Sequence, residues 1–448
     1  MRAKMERFRQ GGPMSTPQRD PYPDALRAGA LLVVVLGHWI ATLPRLRDGR
    51  LAQTEHLLAA WDGAAVLTWL VQVVPLFVFV SAAVSAEGVA RRVGVAGPAR
   101  WWAARALALA RPTVTYLAVL VLLAVAALAS GGRLLGLFDQ SLTVHLWFLL
   151  MLLTVQALLP WSLRMDERWG LGAVAGLVVV AAALDVLRAD VSSARDLAAL
   201  GSRVAQRPPG IAWLNMLVVW LLPQQLGIAW KRGRFRGPPA GVALLALGAA
   251  WLALAMASGY PVAMVGVALA GNNMLPPTLA LVGVMWLQAG AVLAFEPLAR
   301  RMLAGRAPPR AIAVLGALGM PLYLWHKLAE LPAAWLGERM GLPIDAGLPG
   351  EPGFWLGRVC WIALCLLMVA PVLAAVVRFE LRRERDVPGT TRGRSIAIGG
   401  ACLYAGLAVA LVGGVWPGAV VALPAVMIAS WQLRARGGRA GQESDDAN

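Results

Sequence analysis

An arginine and a histidine share the first long apolar segment of the chain, which reads PDALRAGALLVVVLGHWI. Arg27 lies near its start and His38 eleven residues later, about 16 Å along a helix and about three turns on, so both side chains point to one face. Ionisable groups inside an apolar helix mark candidate functional sites. A cation at one end of this wall and an imidazole deep in it suit a ligand that is anionic at one end and reactive at the other. A structural interpretation is equally open, in which Arg27 reaches lipid headgroups and His38 hydrogen-bonds a neighbouring helix.

A second group of cations precedes a proline. Arg100, Arg105 and Arg111 approach a helix that we expect to begin at Pro112. Arginine is a planar group with several donors, so such a set suits phosphate binding. The general preference of basic residues for the cytoplasmic side of a membrane explains the same cluster without any ligand.

Two further segments, HLWFLLMLLTVQALLPW and LGALGMPLYLWHKLAE, carry polar residues among apolar ones. The first holds His145 and Trp147, and an aromatic belt at the membrane surface is sufficient to explain the tryptophan. In the second, His326 and Glu330 are four residues apart, which on one helical face would allow the carboxylate to orient the imidazole. A simple anchor at the membrane surface, formed by Tyr323, Trp325, His326 and Lys327, is an equally open interpretation.

The composition places these residues in a membrane protein. Of 448 residues, 59% are hydrophobic and only 15% are charged, and the mean hydropathy is +0.65. No single water-soluble core of this length needs so many apolar residues, so the surplus must face lipid. The net charge of +17 lies in short clusters between apolar segments, which argues against nucleic-acid binding. The three cysteines lie in apolar segments without metal-ligand spacing, so we expect neither a disulfide nor a metal site.

Apolar segments of about 20 residues predict membrane-spanning helices. We place them near 25–44, 63–86, 113–130, 144–163, 170–187, 210–230, 241–257, 276–295, 311–332 and 354–378. A longer apolar segment, 396–433, contains Gly413, Gly414 and Pro417, which predict a closing hairpin. The fold is therefore predicted to be an all-α polytopic transmembrane helix bundle of about ten core spans plus this C-terminal hairpin, about twelve crossings in total.

The polar segments predict how the chain is divided and oriented. Residues 1–22 form a polar N-terminal segment without the apolar stretch of a signal peptide, 23–380 the transmembrane domain, 381–395 a basic linker, 396–433 the hairpin and 434–448 a polar tail. Most Lys and Arg clusters fall on the side of the N-terminus, which predicts a multi-pass protein of the inner (plasma) membrane with its N-terminus in the cytoplasm. Two arginine-containing loops, 45–50 and 188–209, fall on the opposite side.

Taken in this order, these segments resemble the acyltransferase 3 family of membrane enzymes from about Tyr22 to Arg378. The most specific element is Arg-x10-His within D-x-L-R-A, here Arg27 and His38. The family's PLFFxLSG-like segment reads PLFVFVSA, with Ala82 in place of the usual glycine. HLWFL and YLWH match closely, and the arginine-rich stretch that ends in proline is also present, although Trp101 and Trp102 stand where an arginine pair is usual.

The resemblance implies transfer of an acyl group, acetyl or another short acyl, from cytoplasmic acyl-CoA to a hydroxyl of an extracytoplasmic carbohydrate, glycolipid or cell-envelope polymer. It implies no bound cofactor, with acyl-CoA acting as the donor substrate. His38 would act as general base or carry the acyl group covalently, and His326 would be a second catalytic residue. The expected CoA-binding residues are Arg27, Arg105 and Arg111, and the expected acceptor-binding residues are Tyr323, His145 and Trp147.

Two other classes of function are compatible with the same pattern. A transporter or flippase would also need a polar path with histidines near the membrane midplane, but no inverted repeat or pair of broken helices is evident. A non-catalytic protein with this fold is favoured by Ala82 and by the missing arginine pair. The intact Arg27 and His38 argue against it.

Overall fold

A computed structural model describes residues 20–266, 271–304, 307–345, 347–383 and 393–434. Residues 1–19 of the predicted N-terminal segment, 384–392 of the predicted linker and 435–448 of the predicted tail lie outside these ranges. The described chain consists almost entirely of helices, with one two-stranded sheet.

The elements follow one another along the chain without an intervening soluble domain. Up to residue 214 they are α1 (Pro21–Ala41), β1 (Thr42–Arg47), β2 (Arg50–His56), α2 (Leu57–Ala60), α3 (Ala64–Val71), α4 (Val74–Ala96), α5 (Pro98–Ser130), α6 (Arg133–Phe138), α7 (Ser141–Val144), α8 (Trp147–Ala157), α9 (Leu159–Trp169), α10 (Leu171–Ala189), α11 (Ala194–Ala198), α12 (Leu200–Gln206) and a 3-10 turn (Gly210–Leu214). After it come α13 (Asn215–Lys231), α14 (Gly237–Ala257), α15 (Leu279–Met302), α16 (Ala307–Trp325), α17 (Glu330–Met340), α18 (Phe354–Arg383), α19 (Gly393–Gly413), a wide turn (Gly414–Ala419) and α20 (Val420–Leu433).

Nine of the helical stretches among the described residues are long and apolar enough to cross a membrane, or eleven if each of two bent pairs is one span. The bent pairs are Ser141–Ala157 with Leu159–Trp169, at 49°, and Arg310–Trp325 with Glu330–Met340, at 69°. The predicted all-α polytopic bundle is therefore confirmed, and the chain is a multi-pass membrane protein.

Helix breaks fall inside two segments for which one continuous span was predicted, 144–163 and 311–332, so the expectation that the chain lacks a pair of broken helices is wrong. The first bends at Leu158, just before Pro160, and the second bends between Trp325 and Glu330, just before Pro332. Proline lacks an N–H and clashes with the preceding turn, so it fits the first turn of a new helix better than the interior of a continuous one.

The prediction that a helix begins at Pro112 is wrong. Helix α5 begins at Pro98 and continues through Pro112 to Ser130. Pro98 takes the first helical position, where its missing N–H is of no consequence. An interior proline is tolerated in a membrane helix because neighbouring groups satisfy the freed backbone.

The first span was predicted to be helical over the whole of 25–44, but in the structure a β-hairpin begins directly after α1. Helix α1 ends at Ala41, and the strands turn at Asp48 and Gly49, both with positive φ, as a tight hairpin turn requires. Arg45 on this hairpin forms ion pairs with Glu55 at 2.8 Å and Asp345 at 3.1 Å.

Ion pairs also form within the second of these arginine-containing loops, 188–209. It folds into the short helices α11 and α12, where Arg203 lies 2.9 Å from Asp196 and Arg207 lies 3.2 Å from Asp190. Three arginines of these two loops, Arg45, Arg203 and Arg207, are therefore paired with carboxylates of the protein.

The C-terminal segment forms the predicted hairpin. Helices α19 and α20 lie side by side, since a Cβ on Gly406 would meet Val426 and one on Gly413 would meet Gly418. The turn between them leaves helical geometry at Trp416. The Asp139 carboxylate accepts the N–H groups of Val415 at 3.0 Å and of Trp416 at 3.1 Å, which fixes the turn against the rest of the bundle.

Close packing of α4 against α13 gives a testable stability prediction. A Cβ on Gly227 of α13 would overlap the carbonyl oxygen of Phe79 on α4. We expect Gly227→Ala to lower the free energy of unfolding by about 1–3 kcal/mol, the usual cost of overpacking, measured by denaturant unfolding in detergent. Gly29→Ala is the matched control, since a Cβ at that helical glycine would meet nothing within 4 Å. Equal stability of the two variants would contradict the prediction.

Candidate active site

Two histidines 288 positions apart in the sequence meet in the bundle. His38 lies in the last turn of α1, and His326 follows the end of α16 at the break before α17. His38 Nδ1 lies 2.7 Å from His326 Nε2, and the two rings are stacked with their planes 9° apart. His326 is fully buried, while His38 is half-buried. These two residues, the histidine dyad, bring together both predicted catalytic positions.

The hydrogen bonds of the dyad determine where its protons lie. His326 Nδ1 is 2.7 Å from the Tyr323 carbonyl oxygen, which can only accept, so this nitrogen carries a hydrogen. In a neutral imidazole the other nitrogen is then an acceptor. His326 Nε2 therefore accepts from His38 Nδ1, and His38 Nε2 keeps a free lone pair. In this arrangement His326 sets the tautomer and the orientation of the His38 imidazole.

Hydrogen bonds to backbone carbonyl oxygens hold in place the two chain segments that carry these rings. The Trp39 indole donates to the His326 carbonyl oxygen at 3.0 Å, and the Trp361 indole donates to the Trp39 carbonyl oxygen at 3.0 Å. The Thr42 hydroxyl lies 3.1 Å from the His38 carbonyl oxygen. Helices α1, α16 and α18 are thus linked around the dyad, which limits how far either imidazole can move.

A buried ion pair lies next to the dyad. Lys327 Nζ is 2.6 and 2.8 Å from the two Glu330 carboxylate oxygens and 3.1 Å from the Thr42 hydroxyl. The possibility that Glu330 orients His326 is therefore wrong, because the helix breaks between them and the carboxylate turns to Lys327 instead. The alternative of a membrane-surface anchor is also wrong, because its four residues, Tyr323, Trp325, His326 and Lys327, are all buried inside the protein.

The predicted acceptor-binding residues divide into two groups. His145 and Tyr323 lie at the dyad: the His145 ring contacts the rings of Tyr116, Tyr323 and His326, each at 5.5 Å between centroids. The Tyr323 hydroxyl donates to the backbone carbonyl oxygen of His145, so this hydroxyl is engaged within the protein. Trp147 instead packs against Trp220, at 5.8 Å between ring centroids.

Aromatic rings connect Arg27 with the dyad. The Arg27 guanidinium lies over Phe77 at 5.5 Å, Phe77 contacts Phe148 at 5.3 Å, and Phe148 contacts Tyr323 at 5.0 Å. Tyr323 in turn lies 6.0 Å from the His326 ring. We call Phe77, Phe148 and Tyr323 the aromatic wall. These rings lie between Arg27 and the dyad. Arg27 and His38, the predicted anion-binding and reactive residues, are about three helical turns apart on α1.

The other two predicted phosphate-binding arginines lie on α5. Arg105 is exposed and lies over the Trp101 ring at 5.6 Å, whereas Arg111 is half-buried. Because both belong to one helix, six residues apart, they point about 120° away from each other. The structure therefore does not place Arg105 and Arg111 on a common face.

His56, the remaining one of the chain's four histidines, was not among the predicted site residues. His56 ends β2 opposite Thr42, with which it is paired across the hairpin, and it lies within electrostatic range of His38 and Lys327. Burial and the Lys327 ammonium lower the pKa of His56 to about 4, so the ring is neutral at physiological pH. The Asp48-Gly49 turn would have predicted the hairpin that brings His56 back to α1.

Among the residues that the structure describes, no group of three His, Cys, Asp or Glu side chains is placed to hold a metal ion. The site of the described chain thus consists of imidazoles, aromatic rings and one buried ion pair.

Comparison with known proteins gives one match. Residues 20–377 match the family model described as an acyltransferase domain. No curated protein matches, and no solved structure matches. The matched range includes the histidine dyad, the aromatic wall, Arg27 and His56.

Proposed function

The chain belongs to this family of membrane acyltransferases, and we propose that it moves an acetyl or other short acyl group from cytoplasmic acyl-CoA to a hydroxyl of a carbohydrate, glycolipid or cell-envelope polymer on the opposite side of the inner membrane. The N-terminus then lies in the cytoplasm. This proposal rests on the free lone pair of His38 Nε2. Two hydrogen bonds leave it free: His326 Nδ1–H donates to the Tyr323 carbonyl oxygen, and His38 Nδ1–H donates to His326 Nε2.

In the proposed reaction, His38 Nε2 takes the proton of the acceptor hydroxyl as its oxygen attacks the thioester carbonyl. The tetrahedral intermediate then breaks its carbon–sulfur bond, and the CoA thiolate leaves and takes the proton from His38. An acyl-imidazole on His38 is the alternative route, in which the same lone pair attacks the thioester first. Both routes start from the same nitrogen, so both depend on the tautomer that His326 imposes.

His326 acts as a positioning residue in this scheme. Its Nε2 accepts from His38 Nδ1 at 2.7 Å and stabilises the imidazolium that forms when His38 takes up a proton, the role that the third group of a catalytic triad plays. Tyr323 contributes through its carbonyl oxygen, which fixes the His326 tautomer.

Removing the His326 ring tests this role. We expect His326→Ala to lower kcat by about 10²-fold, the low end of what general base catalysis contributes, with KM for acyl-CoA unchanged. His326→Gln should recover part of the loss, because its amide oxygen can accept from His38 Nδ1. Steady-state CoA release measures both constants. A change confined to KM, or no recovery in His326→Gln relative to alanine, would contradict a positioning role.

Arg27 is proposed to bind the CoA phosphates at the far end of the aromatic wall. We expect Arg27→Ala to weaken CoA binding by about 10- to 100-fold, since a hydrogen bond to a charged group contributes about 1.5–3 kcal/mol. Equilibrium binding of labelled CoA measures the effect. Arg168→Ala is the control, because Arg168 is also on the predicted cytoplasmic side but lies exposed over Trp169. Equal affinity of the Arg27 variant and wild type would exclude this role.

A further inference from the structure

We propose that His56 Nε2–H donates a hydrogen bond to the oxygen of the thioester carbonyl as that oxygen becomes negatively charged during acyl transfer. The inference rests on the proposed acyltransferase function and adds a catalytic residue to it. The inference gives the β-hairpin a part in the chemistry, although the predicted transmembrane spans did not include this hairpin.

The hairpin places His56 beside the reactive end of α1. Thr42 is one helical turn beyond His38, and its hydroxyl lies 3.1 Å from the His38 carbonyl oxygen. His56 is the residue directly opposite Thr42 in the hairpin, and Cα atoms of such pairs lie about 4.5–5.5 Å apart. This pairing places His56 near the His38 end of the dyad. Because His56 is only half-buried, its ring still has an open side.

A backbone contact determines which His56 nitrogen can donate. His56 Nδ1 accepts the Leu58 backbone N–H at 3.2 Å and thereby caps helix α2. A neutral imidazole that accepts at Nδ1 carries its hydrogen at Nε2. Burial of the ring and the charge on Lys327 lower the pKa of His56 and keep it neutral, so His56 is a donor and not a second base.

Three other donors around the dyad are already committed within the protein, and the ring nitrogens left without a partner, on His145 and Trp325, are buried. The Tyr323 hydroxyl donates to the His145 carbonyl oxygen, and the Trp39 indole donates to the His326 carbonyl oxygen. The Lys327 ammonium is bound by Glu330 and Thr42. His56 Nε2–H combines a half-buried position, an available hydrogen and closeness to His38.

The proposed step adds no reactant to the acyl transfer. As the acceptor oxygen bonds to the carbonyl carbon, the carbonyl π electrons move to its oxygen, which becomes an oxyanion bound by His56 Nε2–H. The electrons return when the carbon–sulfur bond breaks. Because His56 keeps its hydrogen throughout, it stabilises charge without transferring a proton.

The test uses full-length protein in detergent, acetyl-CoA as donor and water as the acceptor probe. His56→Ser is the informative variant, because serine also caps a helix N-terminus but has no donor at the position of Nε2. Gln53→Ser on the same strand is the matched control, because Gln53 is exposed and its amide pairs with Glu55. Release of CoA gives kcat, KM and their pH dependence, equilibrium binding gives the CoA affinity, and thermal unfolding reports on folding.

We expect His56→Ser to lower kcat by about 10²-fold, the usual effect of removing one oxyanion donor, with CoA affinity, unfolding temperature and the shape of the pH profile unchanged. Gln53→Ser should match wild type. Wild-type kcat in a folded His56→Ser variant would overturn the inference. A loss of CoA affinity that accounts for the lower rate would also overturn it. An altered pH profile would do the same, because it would indicate that His56 acts as a base. A wild-type protein that neither binds nor turns over acetyl-CoA or any other short-chain acyl-CoA would instead overturn the proposed function itself.

Discussion

Replacing His38 with alanine is expected to reduce acyl transfer by at least about 10³-fold while acyl-CoA still binds. General base catalysis contributes about 10²–10⁴-fold, and either route from the His38 lone pair loses its first step in this variant. Arg27, at the other end of the aromatic wall, keeps its contact with Phe77, so the proposed phosphate site stays intact. Comparison of CoA release with equilibrium CoA binding, for wild type and variant at one pH, measures the two effects separately.

The matched control for this experiment is His145→Phe. His145 is buried among aromatic rings near the dyad, and phenylalanine preserves ring packing at that position. If His38 Nε2 is the base, His145→Phe retains much more activity than His38→Ala. Comparable losses in both variants would show that the rate depends on the packing of the region rather than on the His38 lone pair.

Glu330→Gln is expected to lower the free energy of unfolding by about 3–5 kcal/mol. Glu330 is fully buried and Lys327 is 6% exposed, so the variant leaves an ammonium inside the protein without its counter-charge, and removing one partner of a buried pair has a cost of this size. The ion pair also joins the break between α16 and α17 to Thr42 at the end of α1. Denaturant unfolding in detergent measures the loss.

The double variant Lys327→Met with Glu330→Leu is the control for the charge argument. Replacing both members of a buried pair with apolar residues of similar size is often neutral or stabilising, so the double variant should be more stable than Glu330→Gln. If it is as unstable as the single variant, the loss comes from packing at the break, and the argument from the uncompensated charge is wrong.

The apolar segments predicted the bundle because each crossing needs about 20 apolar residues, a local property of the sequence. Arg27 and His38 were found for a similar reason, since their spacing within one helix determines that they share a face. The C-terminal hairpin was predicted from Gly413, Gly414 and Pro417, which lie at its turn.

The contacts that give the site its chemistry are not local. The bond between His38 and His326 joins residues 288 positions apart, and periodicity within a single helix cannot predict which helices become neighbours. The break after Trp325 turned Glu330 away from His326 and toward Lys327, although helical spacing had suggested the opposite. His56 was missed because it lies in a polar stretch between apolar segments, where only the Asp48-Gly49 turn signals the strand that returns it to α1.

Binding and turnover of acyl-CoA by the purified wild-type protein show directly whether the protein is an acyl-CoA-dependent acyltransferase. Radiolabelled acetyl-CoA and longer acyl-CoAs would be incubated with the protein in detergent, and bound label and released CoA would be measured. We expect saturable binding and slow release of CoA, even with water as the only acceptor, for at least one short acyl chain. No binding at any chain length would contradict acyl-CoA as the donor, and a transporter or a non-catalytic protein with this fold would then be the better explanation.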